Sequence, residues 1–106
     1  MSAYVVYVMA SSRDEALTIG RTVVGERLAA CANVLGGIRS IYWWEGSVVG
    51  DDEALLILKS RELLLADLIA RIRALHSYEI PCITAWPIRA GNPDYLAWIS
   101  ATTAPD

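Results

Sequence analysis

The sequence predicts an α+β domain whose elements follow the order β-α-β-β-α-β and end in a short C-terminal helix. Three observations predict this order: a β-branched and aromatic run opens the chain, two later stretches carry apolar residues at helical spacing, and an unbroken apolar run lies between them. A length of 106 residues suits one hydrophobic core. We therefore expect a single domain over residues 1–106.

The first strand is predicted over Ala3–Met9, where Ala, Val and Tyr alternate as they do in strands. Ser12 follows as a candidate helix cap, and Glu15 stands three residues later, which is the spacing of a capping box. Apolar residues then recur at helical period, which predicts the first helix over about Arg13–Leu28.

The second strand is predicted to begin near Ala30 and to continue to a turn at Glu45–Gly46, which is long for a strand. Two glycines in its middle, Gly36–Gly37, predict a bulge or a bend rather than an end. The returning third strand passes the polar "GDDE", enters the apolar run Ala54–Leu58 and ends at Lys59. An apolar run without polar alternation indicates a strand that is central in its sheet or covered on both faces.

A second helix is predicted from the apolar residues of Leu64–Leu75, which recur in steps of three and four, with Ser60 as its candidate cap. It should stop before "HSYEIP", because proline disfavours helical backbone at the preceding residue. The fourth strand is predicted over Ile80–Ile88, and the two prolines that flank it confine it to a sheet edge or to irregular pairing. Asn92 and Pro93 then begin the terminal helix as its cap and its first residue.

These elements predict a ferredoxin-like βαββαβ sandwich in which the second and third strands form a long bent hairpin. Right-handed crossovers place the two main helices on one face of a four-stranded antiparallel sheet. The other face stays bare, and an apolar content of 55% exceeds what one small copy can bury. We expect another copy to cover that face, with the aromatic run Tyr42–Trp44 at the hairpin tip meeting a neighbouring subunit.

Composition excludes several classes of function. The net charge of −3 argues against general binding to nucleic acid or to anionic membranes, and no apolar stretch is long enough to span a bilayer. Cys31 and Cys82 are far apart in sequence and form no CxxC pair. Together with an N-terminus that lacks the basic start of a secretion signal, this favours a cytoplasmic protein.

The loop that contains the one histidine, His76, is the only candidate for acid–base chemistry, with Tyr78 and Glu79 beside it. No nucleophile accompanies it and no catalytic motif is present, so we expect a protein that is not an enzyme. The ligand types present, among them Cys31, form no close pairs of the kind that zinc sites use. We therefore expect any metal ion to bind weakly, and folding to need none.

Four segments carry a family resemblance. They are "ERLAACANVLGGIRSIYWWEG" (Glu26–Gly46), "LLILKSR" (Leu55–Arg61), "LHSYEIPCITAWPI" (Leu75–Ile88) and "GNPDYLAWI" (Gly91–Ile99). In order and in spacing they resemble the CutA divalent-cation tolerance family over nearly the whole chain. This chain has "WWEG", "LILKS" and "HSYE" where the family commonly has "RWEG", "LIIKT" and "HPYE". The resemblance implies a ferredoxin-like homotrimer in which long hairpins wrap around neighbours, with a cytoplasmic role in tolerance of copper and other divalent cations.

The resemblance and the loop chemistry together imply a cleft between subunits for a small polar ligand or a metal complex. Its expected lining is Tyr42, Trp44, Glu45, Lys59, His76, Tyr78 and Glu79. The expected metal ligands are His76, Glu79 and Cys31, which matches the cysteine of the family's "LAAC" segment.

Other proteins share the same topology. An RNA-recognition module needs central-strand aromatics and a basic face, and a heavy-metal chaperone needs a paired-cysteine loop after its first strand; neither feature is present. A small-molecule-sensing regulator that resembles the trimeric nitrogen-signalling proteins, without a physiological metal role, stays the alternative.

Overall fold

A four-stranded antiparallel sheet forms the frame of the computed structural model, which describes residues 2–105. The elements are β1 (Ala3–Ala10), α1 (Arg13–Gly25), β2 (Cys31–Trp44), β3 (Ser47–Arg61), a 3₁₀ turn (Glu62–Leu64), α2 (Leu65–Leu75), β4 (Ile83–Pro87) and α3 (Pro93–Thr102). The strand order across the sheet is β2-β3-β1-β4. This arrangement confirms the predicted ferredoxin-like fold. The first and last residues of the predicted domain lie outside the described residues.

Local signals at the start of α1 act as the sequence indicates. Ser12 caps the helix, since its hydroxyl oxygen accepts a hydrogen bond from the Glu15 amide at 3.1 Å. The predicted end at Leu28 is wrong, because α1 stops at Gly25. Arg27 adopts a left-handed backbone with φ of 63°, and the Leu28 amide donates to the Val23 carbonyl at 3.0 Å, which is the pattern that reverses a chain after a helix.

The long hairpin of β2 and β3 has the predicted bend and the predicted turn. Pairing shifts register between Leu35 and Ile38, so the two glycines between them form an irregularity inside one continuous strand. At the tip, Glu45 and Gly46 have φ of 49° and 82°. Two positive φ values in a two-residue loop are typical of the hairpin turn whose twist matches its strands.

Ser60 does not cap a helix, and that prediction is wrong. It lies inside β3 opposite Tyr4 of β1, it is completely buried, and its hydroxyl donates to the Leu28 carbonyl at 2.7 Å. Pairing with β1 extends β3 to Arg61, and the 3₁₀ turn then leads into α2 without a side-chain cap. Strand pairing with a distant segment therefore outweighs the local capping preference of a serine.

The fourth strand is shorter than the predicted Ile80–Ile88, since β4 covers only Ile83–Pro87. Its partners are residues Tyr4–Val8 of β1, and no other described strand pairs with it, so its predicted edge position is confirmed. Ile80 stands outside the sheet and is 72% exposed.

The core lies between one sheet face and the helices α1 and α2. Its fully buried residues include Val6, Val8, Leu56 and Leu58 from the strands and Ile19, Leu68 and Ile72 from the helices. The intervening strand residues, such as Tyr7 and Ile57, point to the opposite face and are only half-buried. The helices thus cover one face as predicted, and the other, which we call the open face, is left partly exposed.

None of the helices within residues 2–105 has the length and apolar character that a membrane span requires.

Candidate functional site

A cavity of about 650 Å³ lies between the hairpin and the loop of residues 76–82 that follows α2. Its lining consists of Met9, Ser40, Tyr42, Trp43, Trp44, Glu53, Ser77, Tyr78, Glu79, Ile80 and Cys82. Four of the residues that the sequence predicts for a ligand cleft, Tyr42, Trp44, Tyr78 and Glu79, therefore stand around one space. Its volume is within the usual range of small-molecule sites.

Strand register explains why aromatic rings and carboxylates meet here. Ser40 pairs with Asp51 and Tyr42 pairs with Val49, so these side chains share one face of the hairpin. The Tyr42 hydroxyl donates a hydrogen bond to the Asp51 carboxylate. This bond raises the pKa of Tyr42, so its phenol keeps its proton at neutral pH.

Tyr78 joins the 76–82 loop to the hairpin. Its hydroxyl donates to Glu53 Oε2 at 2.7 Å, across 25 residues of sequence. Burial and the Glu53 carboxylate raise the pKa of Tyr78, so it also remains a protonated donor. The loop wall and the hairpin wall of the cavity are therefore tied together through one tyrosine.

His76 holds the start of the loop from inside the protein. Its Nε2 lies 2.7 Å from the Met9 carbonyl oxygen, and its Nδ1 accepts from the Tyr78 amide at 3.0 Å. A carbonyl can only accept and an amide can only donate, so the ring is neutral with its proton on Nε2. The side chain is completely buried, and both nitrogens are engaged. His76 thus positions the wall of the cavity and does not line it.

Glu15 fixes the next residue of the loop. Its carboxylate accepts from the Ser11 amide at 2.8 Å and from the Ser77 amide at 2.9 Å. Burial alone would raise the pKa of Glu15, but the hydrogen bonds from Ser77 and Ser11 outweigh burial and lower the pKa from 4.5 to about 2. The capping-box glutamate of the sequence therefore also anchors the loop.

This lowered pKa predicts a loss of stability in acid. Because the folded pKa lies below the unfolded value of 4.5, the contribution is fully present above pH 4.5 and is lost as the pH falls toward 2. We expect Glu15 to contribute about 1 to 2 kcal/mol at neutral pH, a figure reduced for solvent screening. Urea unfolding of wild type and Glu15→Gln between pH 5 and pH 2.5 tests this. The difference between the two proteins should shrink with falling pH, and a constant difference would contradict the prediction.

The other predicted site residues lie elsewhere. Glu45 is in the hairpin turn and does not line the cavity. Lys59 pairs with Cys31 on the open face, where its Nζ lies 3.4 Å from Asn33 Oδ1. The Cys31 sulfur contacts the Tyr95 hydroxyl at 3.5 Å, and this contact raises the pKa of Tyr95 to about 12.

Strand spacing separates this open-face group from the cavity. The residue paired with Met9 is Leu55, four positions along β3 from Lys59, which corresponds to about 13 Å along the strand. His76, which contacts Met9, and Cys31, which pairs with Lys59, therefore do not converge in one chain. In the described part of the chain, no three His, Cys, Asp or Glu side chains gather in a way that could hold a metal ion.

The expected cleft lining left out two acidic residues of this site, Asp51 and Glu53. Asp51 could have been found by counting back from the turn, because a two-residue loop at Glu45–Gly46 places it opposite Ser40. The same count places Glu53 opposite Ile38, the last pair before the register shift, on the same face of the hairpin as Asp51. Cys82 is exposed and lines the cavity.

Comparison with known proteins agrees with this architecture. A family model described as CutA1 divalent ion tolerance protein matches residues 4–102, which include every residue of the cavity. The divalent-cation tolerance protein CutA of Thermus thermophilus is 44% identical over 99 residues, which cover 93% of this chain and 96% of that protein. The crystal structure of CutA1 from Oryza sativa superimposes with a TM-score of 0.97 at 40% identity, over 100% of this chain and 97% of that one.

The plant relatives are longer proteins. The chloroplastic CutA 1 of Oryza sativa is 43% identical over 99 residues, which cover 93% of this chain but 56% of that protein. The chain therefore spans about half the length of this relative, and the match concerns the domain described above.

Proposed function

This chain belongs to the CutA1 divalent ion tolerance family, and from that membership we propose that it acts in the tolerance of divalent cations, copper among them, as a cytoplasmic binding protein without catalytic activity. The name of its Thermus thermophilus relative describes tolerance of divalent cations and no reaction. The observation that carries the proposal is the cavity, where aromatic rings and carboxylates surround a space of about 650 Å³. Such a mixed lining suits the binding of a small ligand.

We propose that the working form is a homotrimer. Along the hairpin, Ile41 is 74% exposed, Trp43, which also borders the cavity, is 73% exposed, and Val48, which pairs with Trp43, is 56% exposed. Exposed apolar side chains on a long hairpin, together with the partly bare sheet face, favour contact with further copies. In such an assembly Glu45 and Lys59, which lie away from the cavity of their own chain, would join the cleft of a neighbour.

Sedimentation equilibrium at micromolar concentration tests this assembly. We expect a mass three times the 11.6 kDa of one chain. The double substitution Ile41→Ser and Trp43→Ser should weaken association at least about tenfold, because it removes two large apolar contacts. Leu63→Ser, at a residue that is 67% exposed in the 3₁₀ turn, serves as the control. A stable wild-type monomer would overturn the proposal.

The predicted metal ligands do not fit a shared metal centre within one chain. His76 has both ring nitrogens in hydrogen bonds, and Cys31 stands on the open face while Glu79 lines the cavity. We therefore propose weak and exposed binding of copper or another divalent cation, by Glu79 or a reachable cysteine, that folding does not require.

Calorimetry with Cu(II) and with zinc on the metal-free protein, with melting curves alongside, tests the metal proposal. We expect modest affinity and an unchanged melting temperature, because the hydrophobic core needs no ion to form. Tight stoichiometric binding, or a chain that folds only after metal is added, would contradict it.

The alternative is a small-molecule-sensing regulator without a physiological metal role. The observation that favours it is the cavity itself, which combines four aromatic rings with no gathered metal ligands among residues 2–105. A titration in which small organic ligands bind and neither Cu(II) nor zinc does would favour this regulator.

A further inference from the structure

We propose that the cavity beside the hairpin is selective for an organic ammonium group, that is, a protonated amine or a quaternary ammonium ion. This inference rests on the proposed ligand-binding role and names the class of ligand. Its lining combines the aromatic side chains of Tyr42, Trp43, Trp44 and Tyr78 with the carboxylates of Glu53 and Glu79, and it contains no lysine or arginine. The faces of aromatic rings carry negative potential and attract cations.

The carboxylates have capacity left for a ligand. Glu53 Oε2 accepts from Tyr78, whereas Oε1 accepts no hydrogen bond from the described residues. Glu79 is exposed at the rim and forms no hydrogen bond or ion pair within residues 2–105. A ligand that brings one positive charge would therefore meet two carboxylates that no described cation already neutralises.

The surrounding charges favour the same sign of ligand. Asp51, which holds the Tyr42 hydroxyl, adds a third carboxylate on this face of the hairpin. The guanidinium of Arg39 belongs to the opposite face, where it pairs with Asp52 at 3.2 Å. An anionic ligand would meet repulsion here, whereas a cation is attracted both by the rings and by the acids.

The geometry of the cavity suits an ammonium group better than a bare metal ion. A divalent ion needs several oxygen, nitrogen or sulfur ligands at about 2.0 to 2.6 Å. The described residues offer no group of three such side chains. An alkylated ammonium group is larger and more weakly hydrated, so it binds against ring faces and needs no closely spaced ligands. A volume of about 650 Å³ leaves room for such a group and its substituents.

Titration with choline and with its neutral isostere 3,3-dimethylbutan-1-ol tests the inference on the assembled wild-type protein. The two molecules share shape and differ in charge. We expect choline to bind about tenfold more tightly, with an affinity that falls as salt is added, while binding of the alcohol stays independent of salt. Calorimetry gives both affinities, and fluorescence of the tryptophans in the lining gives a second readout.

Variants locate the binding. Glu53→Gln and Glu79→Gln should each lower the affinity for choline and leave the affinity for the alcohol unchanged. Glu53 also holds Tyr78, so its substitution could unfold the protein. In that event Glu79→Gln still tests the inference. Trp44→Leu should lower the affinity for choline. Trp98→Leu should leave this affinity unchanged, because Trp98 is in α3 and does not line the cavity. Equal affinity for both molecules overturns the inference and leaves a ligand-binding cavity standing. If neither choline nor the alcohol binds, the inference is also overturned. The proposed function then depends on the sedimentation experiment and on the titrations with Cu(II) and zinc.

Discussion

Replacing Leu56 by alanine should lower the free energy of unfolding by about 2 to 5 kcal/mol, the largest effect that we expect from any single substitution here. Leu56 is completely buried in the central strand β3. Helix α1 approaches it closely, since a Cβ built on Gly20 would lie 3.2 Å from Leu56 Cδ1. Neighbours that are already in tight contact relax poorly, so the substitution should leave a cavity.

Urea unfolding at a fixed protomer concentration measures the loss, because the apparent stability of an oligomer depends on concentration. Leu63→Ala is the matched control: the same chemical change at a residue that is 67% exposed should alter stability by less than about 0.5 kcal/mol. If Leu56→Ala unfolds within experimental error of Leu63→Ala, the core as described is wrong.

Replacing His76 by alanine should cost about 2 to 3 kcal/mol and should also weaken ligand binding in the cavity. The substitution leaves the Met9 carbonyl and the Tyr78 amide without their buried partner. Because Tyr78 both lines the cavity and holds Glu53, a displaced Tyr78 backbone moves one wall of the site. His76 therefore affects ligand binding by holding the Tyr78 backbone in place and does not contact the ligand itself.

Substitution of His76 by asparagine or by glutamine tests its two hydrogen bonds one at a time. The His76→Asn oxygen can take the place of Nδ1 and accept from the Tyr78 amide, while the His76→Gln amide can take the place of Nε2 and donate to Met9. We expect both to be more stable than His76→Ala, and the asparagine to retain more choline affinity because it keeps the Tyr78 backbone in place. Choline titration and urea unfolding of all three variants measure this. Wild-type stability and affinity in His76→Ala would contradict the positioning role.

Part of the candidate site was accessible from sequence, because its residues belong to two short segments. Tyr42 and Trp44 follow from the strand that leads to the Glu45–Gly46 turn, and Tyr78 and Glu79 follow from the loop after α2. All four line the cavity. What the sequence could not give is the pairing between the segments, since the Tyr78 hydroxyl meets Glu53 across 25 residues.

The role of His76 shows the same limit. As the one histidine in a polar loop, it resembled a ligand or an acid–base group. Its main partner is the Met9 carbonyl, 67 residues away in sequence, and this contact buries the ring and engages Nε2. A side chain that looks reactive in the sequence is therefore a buried support in the fold.

The sequence by itself determined the features that depend on interactions between residues within about four positions of each other. These are the Ser12 cap with Glu15, the turn at Glu45–Gly46 and the Asn92–Pro93 start of α3. Backbone preference and neighbouring side chains suffice for each of them.

Tertiary structure alone decided the conformation of segments in which long-range contacts compete with those local preferences. Ser60 became a buried strand residue because β1 pairs with β3 as far as Arg61, although a serine before an apolar stretch favours a helix cap. Likewise β4 is limited to the five residues that find partners on β1. Backbone hydrogen bonds and burial shared between distant segments exceed the roughly 1 kcal/mol of a local cap, and they form only once the chain has folded.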